Sequence, residues 1–568
     1  MLSNALMILL LIIGINPLFI HCFNKKATRS YDLSPVMHKT PQIVNTAMSA
    51  NQQIASSSLN SSPSASTNGG QFVINKSGRY FLSTDIFAAP AASRVPCIYI
   101  NTSDVTLDLG GKTLSLSPTT NQKNISAIEI APNQNNITIM NGTLNGRAGT
   151  SSVYTTTGIM INTGTSDVTI DNVHVTNFGE RAIVFDTNCS QILLNRVFAY
   201  NNGMISQFAA RCISLMSCSD VTIVDSSFNK TNSTCLNSTY GVFAENCTNV
   251  TLKNVQISNT TATQGYLRGL WLHACNGALC DNVKILGSSA GNNAVSEVIG
   301  IDILGSSDCI FLNCKANNTQ SSHYTTSAYG FKLANNANKN TFIDCEANNN
   351  QAGGSVAGFK LTNAHYNTFD QCFSIGNGGQ ARLAYGFQLG LNTRDGLSTD
   401  LILSCSGNSL RDCRAIGNKA TNGDSFGMAI SGETGSTIQN CEIRSNIASG
   451  KAYGIALHHT SIRNVIEFNK ICTNTGTTGQ YGIKDFASDS TTMLRGNVVF
   501  GHGATFAGGN ATLIDSGTMN YFLKYAEATG QMNLQFIIKE SDVANLNAFE
   551  AGSQWWFNYS ILHNSIAG

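Results

Sequence analysis

Short apolar runs and polar turns alternate along this chain in a pattern that returns again and again. Runs begin at Cys97 (CIYI), Ala127 (AIEI), Gly158 (GIMI), Ala182 (AIVF), Cys212 (CISL), Gly241 (GVFA) and Gly269 (GLWL). They continue at Gly300 (GIDI), Gly330 (GFKL), Gly358 (GFKL), Gly386 (GFQL), Gly427 (GMAI), Gly454 (GIAL) and Gly482 (GIKD), fourteen copies in all. Successive steps are 24 to 31 residues, except one of 41 between Gly386 and Gly427. A second alternating run follows each first one, such as SDVTLDL from Ser103, SDVTIDNV from Ser166 or TNVTLKNV from Thr248. A third short run and an Asn/Gly-rich turn close each copy. Period-2 alternation bounded by Asn, Asp and Gly reads as strand and turn. A repeat of about 28 residues without helix-forming stretches predicts coils of three short strands. The fold class expected is all-β, a right-handed parallel β-helix of about fourteen coils with an N-terminal and a small C-terminal cap.

Proline supports this independently. All eight prolines lie within the first 132 residues and none in the remaining 436. Proline cannot donate to a ladder, and every interior coil of a solenoid has strands on both sides. Asn and Asp have their own register: Asn172, Asp225, Asn254, Asn282, Asn313, Asp344, Asp412 and Asn440 share one position at the end of second strands. These residues tolerate the left-handed backbone that a sharp corner needs, and stacked amides can bond from coil to coil.

Cysteine falls into the same register. Cys314, Cys345, Cys372, Cys413 and Cys441 take the slot that holds Val173, Val197, Val255 and Val283 earlier, as a small buried hydrophobe does. Cys189, Cys218, Cys247 and Cys275 form a second column. Four coils span about 14 Å, too far for one zinc ion with ~2.3 Å bonds to reach every thiolate. Adjacent pairs could form disulfides on Cα spacing alone, but the expectation is a core thiol ladder, with no metal and no cofactor implied.

The chain has 568 residues, 12% of them charged, and a formal net charge of +1 without a basic run. That argues against nucleic acid as a partner. Leu6 to Ile20 are almost wholly apolar and read as a secretory signal, or as an uncleaved anchor that would be the one link to a membrane. The boundaries expected are 1–22 for this segment, 23–68 for a Ser/Asn-rich linker, 69–96 for the N-terminal cap, 97–500 for the β-helix and 501–568 for the C-terminal cap. The longest helix-compatible stretch falls within that last segment, from Tyr521 to Phe549.

The repeats resemble those of the pectin-lyase-like β-helix superfamily, in the form with many short PbH1-type repeats. SGRYFLSTDI from Ser77 and VTLDLGGKTL from Val105 resemble the N-terminal opening of many bacterial surface β-helix proteins. The resemblance covers about residues 70 to 500 and implies the fold and an exported, surface-associated setting. It implies no single activity, because the fold hosts lyases, hydrolases, epimerases, adhesins and tail proteins. The GHG at Gly501 matches a short polygalacturonase motif, but the chain contains no Asp-Asp pair and lacks that family's Asn-Thr-Asp and Arg-Ile-Lys. The acids are too scattered for a calcium-dependent pectate lyase, whose hard cation wants several oxygens together.

Candidate chemistry lies on the outer face of the first strands. Alternation there points Phe243, Trp271, Asp302, Lys332, Lys360 and Gln388 outward in one column, with Glu245 and His273 two residues further on. Exposed aromatics beside acids, a histidine and lysines suit a sugar chain lying along the solenoid. Phe243 and Trp271 would stack on the rings, with Glu245 and Gln388 alongside. Lys332 and Lys360 would neutralise uronate carboxylates, and His273 or Asp302 would move a proton. Asp302 beside Lys332 and Glu245 beside His273 also read as plain exposed ion pairs. Two functions follow. One is a non-catalytic exported or cell-surface β-helix that binds a polysaccharide or a host or envelope partner. The other is a metal-independent lyase or epimerase acting on uronate polymers, with His273, Asp302 and Lys332 catalytic. The 13 or so extra residues after Gly386 could form one wall of a groove beside Lys360 and Gln388.

Overall fold

The protein's structure is a computed structural model that describes residues 72–500. Interruptions fall at 89–92, 117–123, 147–155, 204–208, 234–237, 264, 292–294, 391–404, 459–460, 487–491 and 496. Short strands are also described at Gln52–Ile54 and, beyond 500, from Ala504–Gly508 to Tyr559–Ile561. The apolar segment 6–20, most of the linker, the insertion after Gly390, His502 and the final aromatic run before Tyr559 lie outside the described residues.

The fold is a parallel β-helix. First strands pair in parallel with those of the neighbouring coils, from Ile98–Ile100 through to Gly479–Asp485, which is thirteen turns. Second strands and third strands form two further parallel ladders, joined into one large sheet where Asn135–Asn145 and Ser166–Thr176 run through both. Fourth strands of two residues form two small ladders, Asn232–Ser233 to Gln320–Ser321 and Gly378–Gly379 to Thr475–Gly476. No helix occurs among the described residues. The helix-compatible stretch after Phe500 instead contains an antiparallel strand pair, Asn520–Ala526 with Gln531–Ile537. Tyr521, Leu523 and Tyr525 stand in register with Phe536, Leu534 and Met532 there, and tertiary setting overrides local helix propensity.

Each coil folds this way for local reasons. In the second strand Val105, Leu107 and Leu109 point into the core and the residues between them do not. The corner after it needs positive φ, and all eight of the Asn and Asp residues named above have φ between 48° and 55°. Their side chains bond along the axis: Asn254 donates to Asp225 at 2.8 Å, and Asn282 to Asn254 at 2.9 Å. Inside, apolar residues stack coil on coil. Phe331, Phe359 and Phe387 lie face to face at 4.8 and 4.7 Å, beside a second stack of Phe311, Phe342 and Phe369. The fifteen described cysteines are buried free thiols, and nine of them, Cys314, Cys345, Cys372, Cys413 and Cys441 with Cys189, Cys218, Cys247 and Cys275, make up the two columns that register assigns.

The glycine that opens most first strands has a steric cause. A Cβ on Gly241 would lie 2.3 Å from the Ile257 side chain in the core and 2.6 Å from the carbonyl of Gly269. Gly241 therefore faces inward, and so does its neighbour Val242. Strict alternation breaks at this point, and the break decides what the outer face carries.

Candidate functional site

Because of that break, the residue before each glycine points outward as well. Two columns then run along the outer face of the first sheet. One is the expected column, in which Phe243, Trp271, Asp302, Lys332, Lys360 and Gln388 pair in register on successive coils. The other is Arg181, Arg211, Tyr240, Arg268, Ile299 and Tyr329. Sequence reading missed this second column because simple alternation sends it to the core. The signal was present: Arg, Tyr or Phe precedes the glycine slot in most copies.

The two columns interdigitate, so the expected residues are far less exposed than a sugar-stacking surface requires. Trp271 is 9% exposed, Phe243 and Lys360 are buried, and Gln388 is wholly buried. Phe243 and Trp271 pack with Tyr240 as a ring cluster, with centroids 4.5 to 5.3 Å apart. The aromatic exposed at this site is Tyr266, at 42%. The Arg268 guanidinium lies 4.7 Å from its ring.

The charge pairing also differs from expectation. Asp302 is 1% exposed and pairs with Arg268, not with Lys332. Burial pushes the Asp302 carboxyl up, against the pull of Arg268 and Lys332. Arg268 is buried too. Burial opposes its charge, but Asp302 and then Tyr240 outweigh that and raise its pKa. Lys332 is held by Glu297 at 2.5 Å. Burial works against ionisation of Glu297, yet Lys332, Lys360 and Arg268 together keep it below the usual range. Lys360 donates to the Tyr329 hydroxyl at 2.8 Å. Both lysines are thus engaged within the protein rather than presented to a ligand.

His273 and Glu245 do meet as expected, Nδ1 to Oε1 at 2.9 Å, and both are partly exposed. The imidazole stacks on Trp271 with centroids 4.9 Å apart. Two polar atoms at the centre of the cluster are buried without a hydrogen-bond partner, Nε1 of Trp271 and Oδ1 of Asp302. They belong to register partners on adjacent strands, one a donor and one an acceptor. No group of three or more His, Cys, Asp or Glu that could hold a metal occurs among the described residues.

No protein-family model matches the sequence, and no curated protein does. Among solved structures, the A-module of the Azotobacter vinelandii mannuronan C-5 epimerase AlgE6 aligns over 77% of this chain and 90% of its own. The identity is 12% and the TM-score 0.31. PfbA, a surface adhesin of Streptococcus pneumoniae, aligns over 66% and 91% of the two chains at 13% identity, with a TM-score of 0.35. The Dettilon tailspike protein covers 69% of this chain and 60% of its own at 11% identity, with a TM-score of 0.33. Likenesses this distant carry no argument about what the chain binds or does.

Proposed function

We propose that this is an exported or cell-surface β-helix that binds a polysaccharide on the outer face of its first sheet, around Tyr240, Tyr266, Trp271 and Asp302. The observation that carries the reading is the unpartnered pair, the Trp271 indole N–H and Asp302 Oδ1. Leaving a buried donor or acceptor unmade costs roughly 1–3 kcal/mol. A sugar hydroxyl both donates and accepts, so it suits a donor such as the indole N–H and an acceptor such as the carboxylate oxygen alike. Tyr266 adds an exposed ring at the edge of the cluster, suited to the apolar face of a sugar. Export is supported by the apolar segment 6–20.

A second reading, uronate lyase or epimerase, is favoured by one arrangement. Glu245 fixes Nδ1 of His273, which leaves Nε2 as the nitrogen able to move a proton. Asp302 fits that role less well, since Arg268 already claims its other oxygen.

The test uses the full chain and a panel of neutral and acidic polysaccharides, followed by affinity electrophoresis and by assay for unsaturated products and new reducing ends. Binding that weakens about tenfold in Trp271→Phe, which removes only the N–H and the larger ring, is the expected result. Retention of full affinity by both Trp271→Phe and Asp302→Asn would refute this site. Turnover abolished by His273→Ala would select the second reading over the first.

A further inference from the structure

At the N-terminal edge of this cluster the face carries more positive charge than it neutralises. Arg181 and Arg211 are register partners on adjacent coils of the same outer column. Strand spacing puts their backbones about 4.8 Å apart. Between them they have one carboxylate, Glu180, which pairs with Arg181 at 2.7 Å. Arg211 makes no ion pair among the described residues. Its terminal nitrogen donates to the Ser214 hydroxyl at 3.2 Å, and its guanidinium lies 3.5 Å from the Phe243 ring centroid. The Nε–H groups of both arginines are buried without a hydrogen-bond partner.

A half-buried guanidinium next to a second one is an unfavourable arrangement unless something negative joins it. Burial, and then the charge of Arg181, lower the Arg211 pKa to about 10. Tyr240, then Glu245 and Glu180, oppose that effect, but neither carboxylate reaches Arg211 as an ion pair. A guanidinium offers its N–H groups as a planar fork that fits carboxylate and sulfate oxygens. Tyr240 follows Arg211 in the same column, so the subsite opens directly onto the Tyr240–Trp271 ring cluster.

We infer that Arg211, with Arg181, forms an oxyanion subsite that makes the bound polysaccharide an acidic one, carrying a carboxylate or sulfate on the sugar next to the one held at Trp271. This rests on the glycan-binding reading above. It differs from the sequence expectation in its residues, because Lys332 and Lys360 are already engaged while Arg211 is not paired.

The test compares matched polymers on the full chain: polygalacturonate against its methyl ester for the carboxylate, and dextran sulfate against dextran for the sulfate. The expected result is at least tenfold tighter binding of one acidic polymer than of its neutral partner, lost in Arg211→Gln. Arg181→Gln, at a guanidinium already paired with Glu180, should give a smaller loss in the same direction. Whichever acidic polymer binds identifies the source of the oxyanion. Equal binding of acidic and neutral partners, or an equal loss of both in Arg211→Gln, overturns the subsite while leaving glycan binding standing. If no polymer binds, the glycan reading fails, and inorganic sulfate then tests the subsite alone. Sulfate at matched ionic strength should raise the melting temperature of the native chain but not of a folded Arg211→Gln or Arg181→Gln. The same rise in native and variant chains would overturn the subsite.

Discussion

Glu433 shows how much one residue can depart from its column. Its register partners are Cys405 on one side and Ser461 on the other, small side chains facing the interior. A carboxyl in that slot is wholly buried, accepting from the Ser436 hydroxyl and, at 2.9 Å, from the Asn408 amide. Burial pushes its pKa from 4.5 up to about 7, against those hydrogen bonds. The folded state therefore holds a proton that the unfolded chain has released. The stability from protonated Glu433 is fully present below about pH 4.5 and is lost as pH rises through about 7. The loss is about 3 kcal/mol at 1.36 kcal/mol per pKa unit. Glu433→Gln should remove this dependence, stabilising the protein at pH 8 while changing little at pH 4.5. Urea denaturation of both proteins at the two pH values checks it, and parallel pH profiles would count against it. The glycine slot gives a second residue-level prediction. Gly269→Ala places a Cβ 2.3 Å from the Ile285 side chain and 2.7 Å from the Gly300 carbonyl. It should cost roughly 1–3 kcal/mol by overpacking, read as a shifted denaturation midpoint. In the coil at Ala182 the same slot already holds alanine.

At the scale of the element, the interior corner depends on amide ladders. Asn350, Asn377, Asn418, Asn446 and Asn474 stand one above another, all fully buried. Asn377 donates to Asn418 at 3.1 Å and Asn418 to Asn446 at 2.8 Å. Each Oδ1 also accepts a backbone N–H from the preceding coil, as from Asn377 to Asn418 at 3.2 Å. Asn418→Ala strands these donors, at ~1–3 kcal/mol for each buried group left unmade. Asn282→Gly on the exposed corner keeps its positive φ of 54° and should cost under ~0.5 kcal/mol. Denaturation midpoints of the two variants separate the roles. The exposed ladder was legible in the sequence, because Asn and Asp recur there at the end of alternating strands. The interior one was not, since an asparagine in a turn reads as a solvated polar residue and only the closed coil reveals that it faces inward. The candidate site divides in the same way. The column from Phe243 to Gln388 was legible from alternation. Its burial and its pairing with the Arg181 to Tyr329 column depended on a backbone bend at glycine that no period-2 pattern contains.

The described solenoid is held by stacking, with each coil capping the next, and its thiols report on that. The fifteen described cysteines are buried within the solenoid. Alkylation mapped by mass spectrometry should leave all fifteen unmodified in the folded protein and modify them together on unfolding in urea. Rapid native labelling of Cys345 or Cys413, or a disulfide joining Cys218 to Cys247, would show that the column is not a plain packing element. The claim that function lies on the outer face of the first sheet is tested most directly by hydroxyl-radical footprinting of the full chain with and without a bound acidic polysaccharide. Tyr266 on that face and Tyr200 on the ladder of third strands are almost equally exposed, at 42% and 45%. Protection of Tyr266 and His273, with Tyr200 and Tyr366 unchanged, is the result expected here. Protection of Tyr200 with Tyr266 unaffected would place the ligand on another face and contradict the account.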